Sequence, residues 1–292
     1  MSLTTSRGQA TVGQLCEAFR ISRQAYYVAR RSPELKLTAQ RAPRRGPWVP
    51  DSTLCEKIRE VVAEFPAWGV RKVWAYLRRL GTVVSRKRVW QRMRAMGLTL
   101  PPLSERTPDV PRGHVAVPDS NRRWATDLTT AWTKQDGTVA LVPVIDCGDR
   151  VVFEIAVTKS QESPAVLAPV ERSLEAAFGA PEHVPDGLEL RSDHGPQYTG
   201  SDCAALCKAW DLEHTFAPVG RPTGNAVAER FIQTLKVELI WTRDWESLDE
   251  LREAIERWLR IYNEVRPHEA LDWMTPVEKR ADNLGIEVNR AA

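Results

Sequence analysis

The stretch from residue 124 to 240 constrains the fold most. Short runs rich in β-branched and aromatic residues, at 124–130, 139–145, 151–157 and 188–191, alternate with helically spaced apolar residues at 164–178 and 226–240. Runs of the first kind suit strands and those of the second suit helices with one apolar face. A chain that alternates the two must lay helices over a sheet, which is the α/β class. Ser163 is placed to cap the helix at 164–178.

Three acids sit at informative places in this alternation. Asp127 lies in the first run, Trp124-Ala-Thr-Asp127-Leu-Thr-Thr, where strand alternation would set it on one sheet face with Ala125 and Thr129. Asp193 follows the fourth run, in Leu190-Arg-Ser-Asp193-His-Gly-Pro-Gln-Tyr198, and the Gly-Pro pair behind it marks a turn. Glu229 is separated from Asp193 by 35 intervening residues and lies near the first turn of a helix that Asn225 is suited to cap. Ile232, Leu235 and Leu239 give that helix its apolar stripe, and Glu229, Gln233 and Lys236 share a neighbouring polar face. Carboxylates are hard oxygen ligands, and magnesium held by a few of them keeps positions open for water and phosphate. Most of the 38 acids are ordinary surface groups. Asp146, which also follows an apolar run, reads as a turn residue rather than a fourth member.

Charge divides the chain in two. Residues 1–123 carry 24 Lys and Arg against 9 Asp and Glu, whereas the remainder carries 17 against 29. A basic front half joined to an acidic back half suits a nucleic-acid-binding part attached to a metal-carboxylate part. Residues 11–31 read as helix, turn, helix, with Ser22 as cap and Arg23, Gln24 and Arg30 facing outward. A second helical unit shows apolar stripes Leu54-Ile58-Val61-Val62, Val73-Leu77-Leu80 and Val89-Met93-Met96. Ser85 would cap its third helix, Gly97 would end it, and Arg86, Lys87, Arg88 and Arg92 along it are candidate DNA contacts. Proline-rich linkers follow each unit. The expected organisation is a helix-turn-helix at 1–32, a linker at 33–50, a second helix-turn-helix unit at 51–100, a linker at 101–118, a catalytic domain at 119–280 and a tail at 281–292.

The five cysteines have no C-x-x-C spacing, so neither disulfides nor a zinc site is expected, and Cys203 and Cys207 read as small core hydrophobes. No apolar run reaches the ~18 residues of a membrane span and the first ten residues are polar, so the expected place is the cytoplasm, at the nucleoid when DNA is bound. In the tail, Ser247-Leu-Asp-Glu250 and Thr275-Pro-Val-Glu278 are capping-box patterns, and Leu251, Ile255, Trp258 and Tyr262 form a buried stripe.

Taken together, Asp127, Asp193 and Glu229 with their flanking residues resemble the DDE catalytic core shared by insertion-sequence transposases and retroviral integrases. The basic helical unit before them, and Tyr262-Asn263, Arg266-Pro267-His268, Leu271 and Thr275-Pro276 after them, resemble the bacterial IS-three family. Only His114 precedes the catalytic region among the histidines, so the paired-His, paired-Cys zinc domain of retroviral integrases has no counterpart. The resemblance implies an RNase H-like core with a mixed sheet and two Mg2+ ions, replaceable by Mn2+, on Asp127, Asp193 and Glu229. It also implies that Lys236 grips a phosphate, that the partners are double-stranded terminal repeats and target DNA, and that the chain works as a homodimer or larger assembly. Two rivals are a helix-turn-helix repressor with a degenerate core and a structure-selective RNase H-like nuclease.

Overall fold

The computed structural model describes residues 4–5, 8–9, 12, 16–17, 49–101, 117–217 and 225–286. The chain divides into two compact units, Met1–Trp48 and Val49–Ala292. In the first, Thr4–Thr5 pairs antiparallel with Gly8–Gln9. The helices and strands labelled below belong to the second. Arg23, Gln24 and Arg30 lie outside the described residues, as does nearly all of the helix-turn-helix expected around them.

The second unit begins with three helices, α1 (Asp51–Glu64), α2 (Val70–Arg79) and α3 (Arg86–Ala95). Their expected stripes meet in one small core of Leu54, Ile58, Val61, Val73, Leu77, Val89 and Met93, with Phe65 stacked on Trp68 at 3.9 Å. Leu80 departs from its stripe and is exposed, because α2 has ended at Arg79 and the chain is turning through Gly81. Ser85 caps α3 by accepting from the Arg88 amide, and Gly97, at φ 69°, supplies the left-handed turn behind it.

A six-stranded sheet follows, made of β1 (Arg123–Thr126), β2 (Thr129–Thr133), β3 (Gly137–Asp146), β4 (Val152–Thr158), β5 (Glu189–Ser192) and β6 (Glu213–Phe216). β3 is antiparallel to β4 on one side and to both β1 and β2 on the other, while β1, β5 and β6 run parallel. The sheet is therefore mixed, as expected. The single strand expected at 124–130 is instead two, interrupted at Asp127 and Leu128. Thr126 pairs with Val144 and Thr129 with Leu141, so the register carries across the gap and sets Pro143, which has no N–H to donate, opposite Asp127.

Helices cover both faces. On one lie α4 (Ser163–Phe178) and α5 (Ser201–Ala209), packed through Val166, Val170, Leu174 and Leu206 onto Trp124, Val142, Val144 and Leu190. On the other lie α6 (Ala226–Glu238) and α7 (Leu248–Arg260), packed through Phe231, Leu235, Leu251, Ile255 and Trp258 onto Ala125, Val139, Leu141 and Ile145. The alternation along β1, with Trp124 in one core and Ala125 in the other, is what sorts the two layers. Helix α4 starts at Ser163 itself, whose hydroxyl donates to Gln197 O instead of capping. The last helix, α8 (Pro276–Leu284), carries the complete capping box expected at Thr275 and Glu278. At α7 only half of the expected box forms, because Glu250 accepts from the Glu246 amide and not from Ser247. Among the described residues no helix is long and apolar enough to cross a membrane.

Candidate active site

Asp127 and Asp193 end neighbouring parallel strands at the same level. β1 pairs with β5 as Arg123 with Glu189, Trp124 with Leu190 and Ala125 with Arg191. Carried two residues further, that register sets Asp127 beside Asp193, where adjacent strands stand about 4.8 Å apart. The alternation that buries Leu190 and Ser192 against α4 and α5 turns Asp193 the other way, as it does Asp127, toward the layer of α6.

The third acid is tied to the same strand end. Asn225, buried at the start of α6, donates its side-chain amide to Thr126 O at 3.2 Å, which clamps the helix onto the residue before Asp127. The Glu229 amide bonds to Asn225 O at 3.0 Å, so Glu229 leaves the first turn of α6 just above that clamp. Asn225 thus occupies the expected cap position without capping, and its Oδ1 is buried with no hydrogen-bond partner.

The environment of Asp127 shows how close the groups come. Burial pushes its carboxyl up from 3.8 to about 6, the charges of Asp193 and Glu229 push the same way, and the Leu128 amide and Lys236 oppose them. Asp127, Asp193, Glu229 and Lys236 therefore lie within electrostatic reach of one another. Asp127 Oδ1 accepts from the Leu128 amide and Asp193 Oδ1 from the Gly195 amide, each at 2.9 Å, so both carboxylates keep an oxygen for another ligand. A Cβ at Gly195 would come within 3.0 Å of Asp193 Oδ1 and 3.1 Å of Gln197 Oε1, which explains the glycine. Tyr198 is buried with its hydroxyl 3.3 Å from Thr126 Oγ1, bracing the ends of both strands.

Crowded carboxylates carry a testable cost. In the metal-free chain Asp127 is harder to ionise folded than unfolded, so its penalty is absent below about pH 3.8 and complete above about 6. Asp127→Asn should raise metal-free stability at neutral pH by about 1–2 kcal/mol, a figure reduced for partial solvent screening. The gain should vanish as pH falls below ~4. Denaturant melts in chelator across that range measure it, and equal stabilities at neutral pH would mean that burial and the neighbouring acids do not hold the Asp127 carboxyl up.

Asp146 is a different kind of acid. Its oxygens accept from the Gly148 amide at 2.7 Å, from the Asn121 amide at 2.6 Å and from Arg280 at 3.4 Å, and it has no exposed surface. Gly148 is required there, since a Cβ would meet Asp119 O at 2.1 Å. The residue builds the β3–β4 turn, as the sequence suggests, and also anchors α8 to the sheet.

Similarity to known proteins bears on the family of the chain. A family model described as an HTH-like domain matches residues 50–103, and two described as integrase core domains match 118–222 and 211–276. Transposase InsD for insertion element IS2A/D/F/H/I/K of Escherichia coli is 31% identical over 273 residues, 85% of this chain and 85% of that protein. The InsD transposase for element IS2-9 of Escherichia coli strain K12 is 31% identical over 85% of this chain and 83% of its own length. The chain belongs to the insertion-element transposases with an integrase core. Solved structures similar to this transposase include the HTLV-2 integrase catalytic core in complex with magnesium (17% identity, TM-score 0.42, 55% of this chain and 96% of that one). The BIV integrase catalytic core is another (22% identity, TM-score 0.44, 56% and 97%).

In the transposase the basic residues of α3 divide into two groups. Arg88 and Arg92 both reach Asp51 at the start of α1, Arg88 Nε at 2.9 Å and Arg92 Nη1 at 3.1 Å, and Arg88 also donates to Val49 O. Their guanidinium groups are turned to the α1 side and hold the helical unit together. Arg86 and Lys87 stay exposed, in company with Trp90, Gln91 and Arg94, whose guanidinium lies 5.4 Å from the Trp90 ring. Spacings of three, four and seven from Lys87 place Trp90, Gln91 and Arg94 on one outward face. Trp90, Gln91 and Arg94 were not among the candidate contacts, since helical phase alone does not show which basic side chains a distant acid captures.

Proposed function

We propose that this chain binds the terminal inverted repeats of a mobile element through its helical part, cuts one strand at each end, and joins the freed 3′-hydroxyl to target DNA. The observation that supports it best is the strand register that levels Asp127 with Asp193 next to the first turn of α6. Three carboxylates suit hard divalent cations, and burial together with the neighbouring acids raises the carboxyl of Asp127, a penalty that a bound cation would offset. In this reading Asp127, Asp193 and Glu229 would hold two Mg2+ or Mn2+ ions, with Asp193 and Glu229 each serving one of them and Asp127 both. Bound there, such ions activate the attacking oxygen and neutralise the leaving one. The protein's own part is to fix the two aspartates on rigid strand ends, hold Glu229 in place through Asn225 and Thr126, and bring Lys236 alongside to meet a phosphate next to the scissile one.

The exposed face of α3 is the DNA contact in this account, with Arg86, Lys87, Trp90, Gln91 and Arg94 entering a groove. Arg88 and Arg92 act from behind by fixing α3 on α1. Replacing Lys87 and Arg94 by Ala should weaken duplex binding by the full chain and flatten its log–log salt dependence by about 0.9 for each lost phosphate contact. Arg92→Ala should leave that slope unchanged and lower thermal stability. A slope unaltered by the double variant would place the DNA elsewhere.

The function is tested by incubating the full chain with Mg2+, end-containing duplex and a target plasmid. The expected product is end DNA covalently joined to target. Cleavage without joining favours a nuclease, and binding without either reaction favours a repressor. We further propose that two or more copies act together, because each element end supplies one scissile strand; bridging of two labelled ends by the protein is the corresponding readout.

A further inference from the structure

We propose that Cys203, Cys207 and His214 form a binding site for one zinc ion, separate from the carboxylates and lying behind the strand that ends at Asp193. The sequence does not suggest it, because the cysteines are spaced as a helical pair and the histidine comes on the next strand. The fold joins them: α5 presents Cys203 and Cys207 one turn apart, β6 returns beside β5 with His214, and the three donor atoms all lie within 4.8 Å of one another. Core packing accounts for two buried thiols. It does not account for an imidazole aimed at them.

The hydrogen bonds fix the imidazole in the state a metal needs. Ser192 Oγ has one proton and donates it to Asp193 O at 3.0 Å. Its contact with His214 Nε2, also 3.0 Å, must then be one in which the ring nitrogen donates. That leaves the lone pair on Nδ1, and the ring lies alongside the thiol, with Nδ1 3.8 Å and Nε2 3.9 Å from Cys203 Sγ. A ring N–H given to an oxygen leaves the other nitrogen available as a ligand, the state in which metal-bound histidines are held. Phe216, 4.4 Å from the His214 ring, holds it in place.

Size and chemistry select the ion. For Zn–S of about 2.3 Å and Zn–N of about 2.0–2.1 Å, tetrahedral angles put two sulfurs about 3.8 Å apart and sulfur from nitrogen about 3.6 Å. The Cys203–His214 separation is already close to that. Two thiolates and one imidazole are a borderline-soft set that magnesium does not favour. Cys203 has no exposed surface and Cys207 6%, whereas His214 is half-buried, so the fourth position opens toward solvent on the histidine side. Binding releases one proton from each thiol and breaks no covalent bond. It would fasten α5 to β6 and, through Ser192, to the backbone carrying Asp193.

The test uses the full chain, reduced, stripped with chelator and dialysed. Cobalt titration should give one equivalent with a sulfur-to-cobalt charge-transfer band, which oxygen ligands do not produce, and zinc should displace it. Cys207→Ser and His214→Gln should weaken zinc binding at least about 100-fold, and Asp193→Asn should leave the band intact. Because a cysteine variant can fail to fold, zinc-edge X-ray absorption on the parent chain gives a second reading, with sulfur neighbours expected at about 2.3 Å. Absence of the cobalt band, its survival in Cys207→Ser, or a zinc shell of oxygen and nitrogen alone would overturn the proposal. These outcomes do not depend on the role given to Asp127, Asp193 and Glu229.

Discussion

Asp193→Asn should lose end cleavage and strand transfer by at least about 10³-fold, or roughly 4 kcal/mol of transition-state stabilisation, with duplex affinity unchanged. The substitution keeps the size of the side chain and the acceptor for the Gly195 amide, so the turn at Gly195-Pro196 survives. It removes one of the negative charges that hold the cations. The exposed face of α3, proposed above as the DNA contact, is not touched by the change. Asp146 is a poor neutral control, since its carboxylate is fully buried with Arg280 and Asp149 beside it. An exposed acid such as Asp249, paired only with Arg252, serves better. Strand transfer by Asp193→Asn at the parental rate would remove it from the site.

Glu238→Ala should be the most damaging single change to the fold away from the acids. Glu238 lies on α6 with 4% of its side chain exposed, accepts from Arg266 Nη2 at 2.9 Å and Nε at 3.1 Å, and also receives Lys72 of α2. Burial and the Arg266 charge push the Lys72 amine below its ordinary range, and Glu238 opposes them. Truncation would leave two cations facing each other with no anion, at a cost of about 3–5 kcal/mol. That corresponds to about 10 °C in the melting of a unit this size. Lys72 belongs to the helical unit and Glu238 to the helix that carries Glu229 and Lys236, so the same change should loosen the helical unit from the core and depress activity. Glu238→Gln keeps acceptors and should cost less. A parental melting curve for Glu238→Ala would show that the cluster does not hold the two parts together.

The order of strands and helices was legible wherever a local rule decides. Ser85, Gly97, Thr275 with Glu278, and the stripe from Leu251 to Tyr262 need only neighbours in sequence, and each stands where capping and periodicity put it. The three candidate acids stood out in the sequence because Asp193 sits beside a turn signal, Glu229 beside a helix start and Asp127 within a strand-like run. What was not legible depends on distant partners. The break at Asp127 falls opposite Pro143, sixteen positions on; Arg88 and Arg92 are captured by Asp51, 37 and 41 positions back. Arg266 and His268 read as parts of a motif, whereas the structure gives Arg266 a physical task, the closure of the Glu238–Lys72 cluster. Cys203 and Cys207 are buried in the core as read, but the approach of His214 on β6 depends on strand pairing and was not legible.

Crystals of the full chain with end DNA and Mn2+, measured at the manganese absorption edge, test the central claim most directly. The account predicts two anomalous peaks roughly 3.5–4 Å apart, one between Asp127 and Asp193 and the other between Asp127 and Glu229, with a DNA phosphate oxygen bridging them. Manganese bound at other side chains, with the carboxylates of Asp127, Asp193 and Glu229 left uncoordinated, would contradict it.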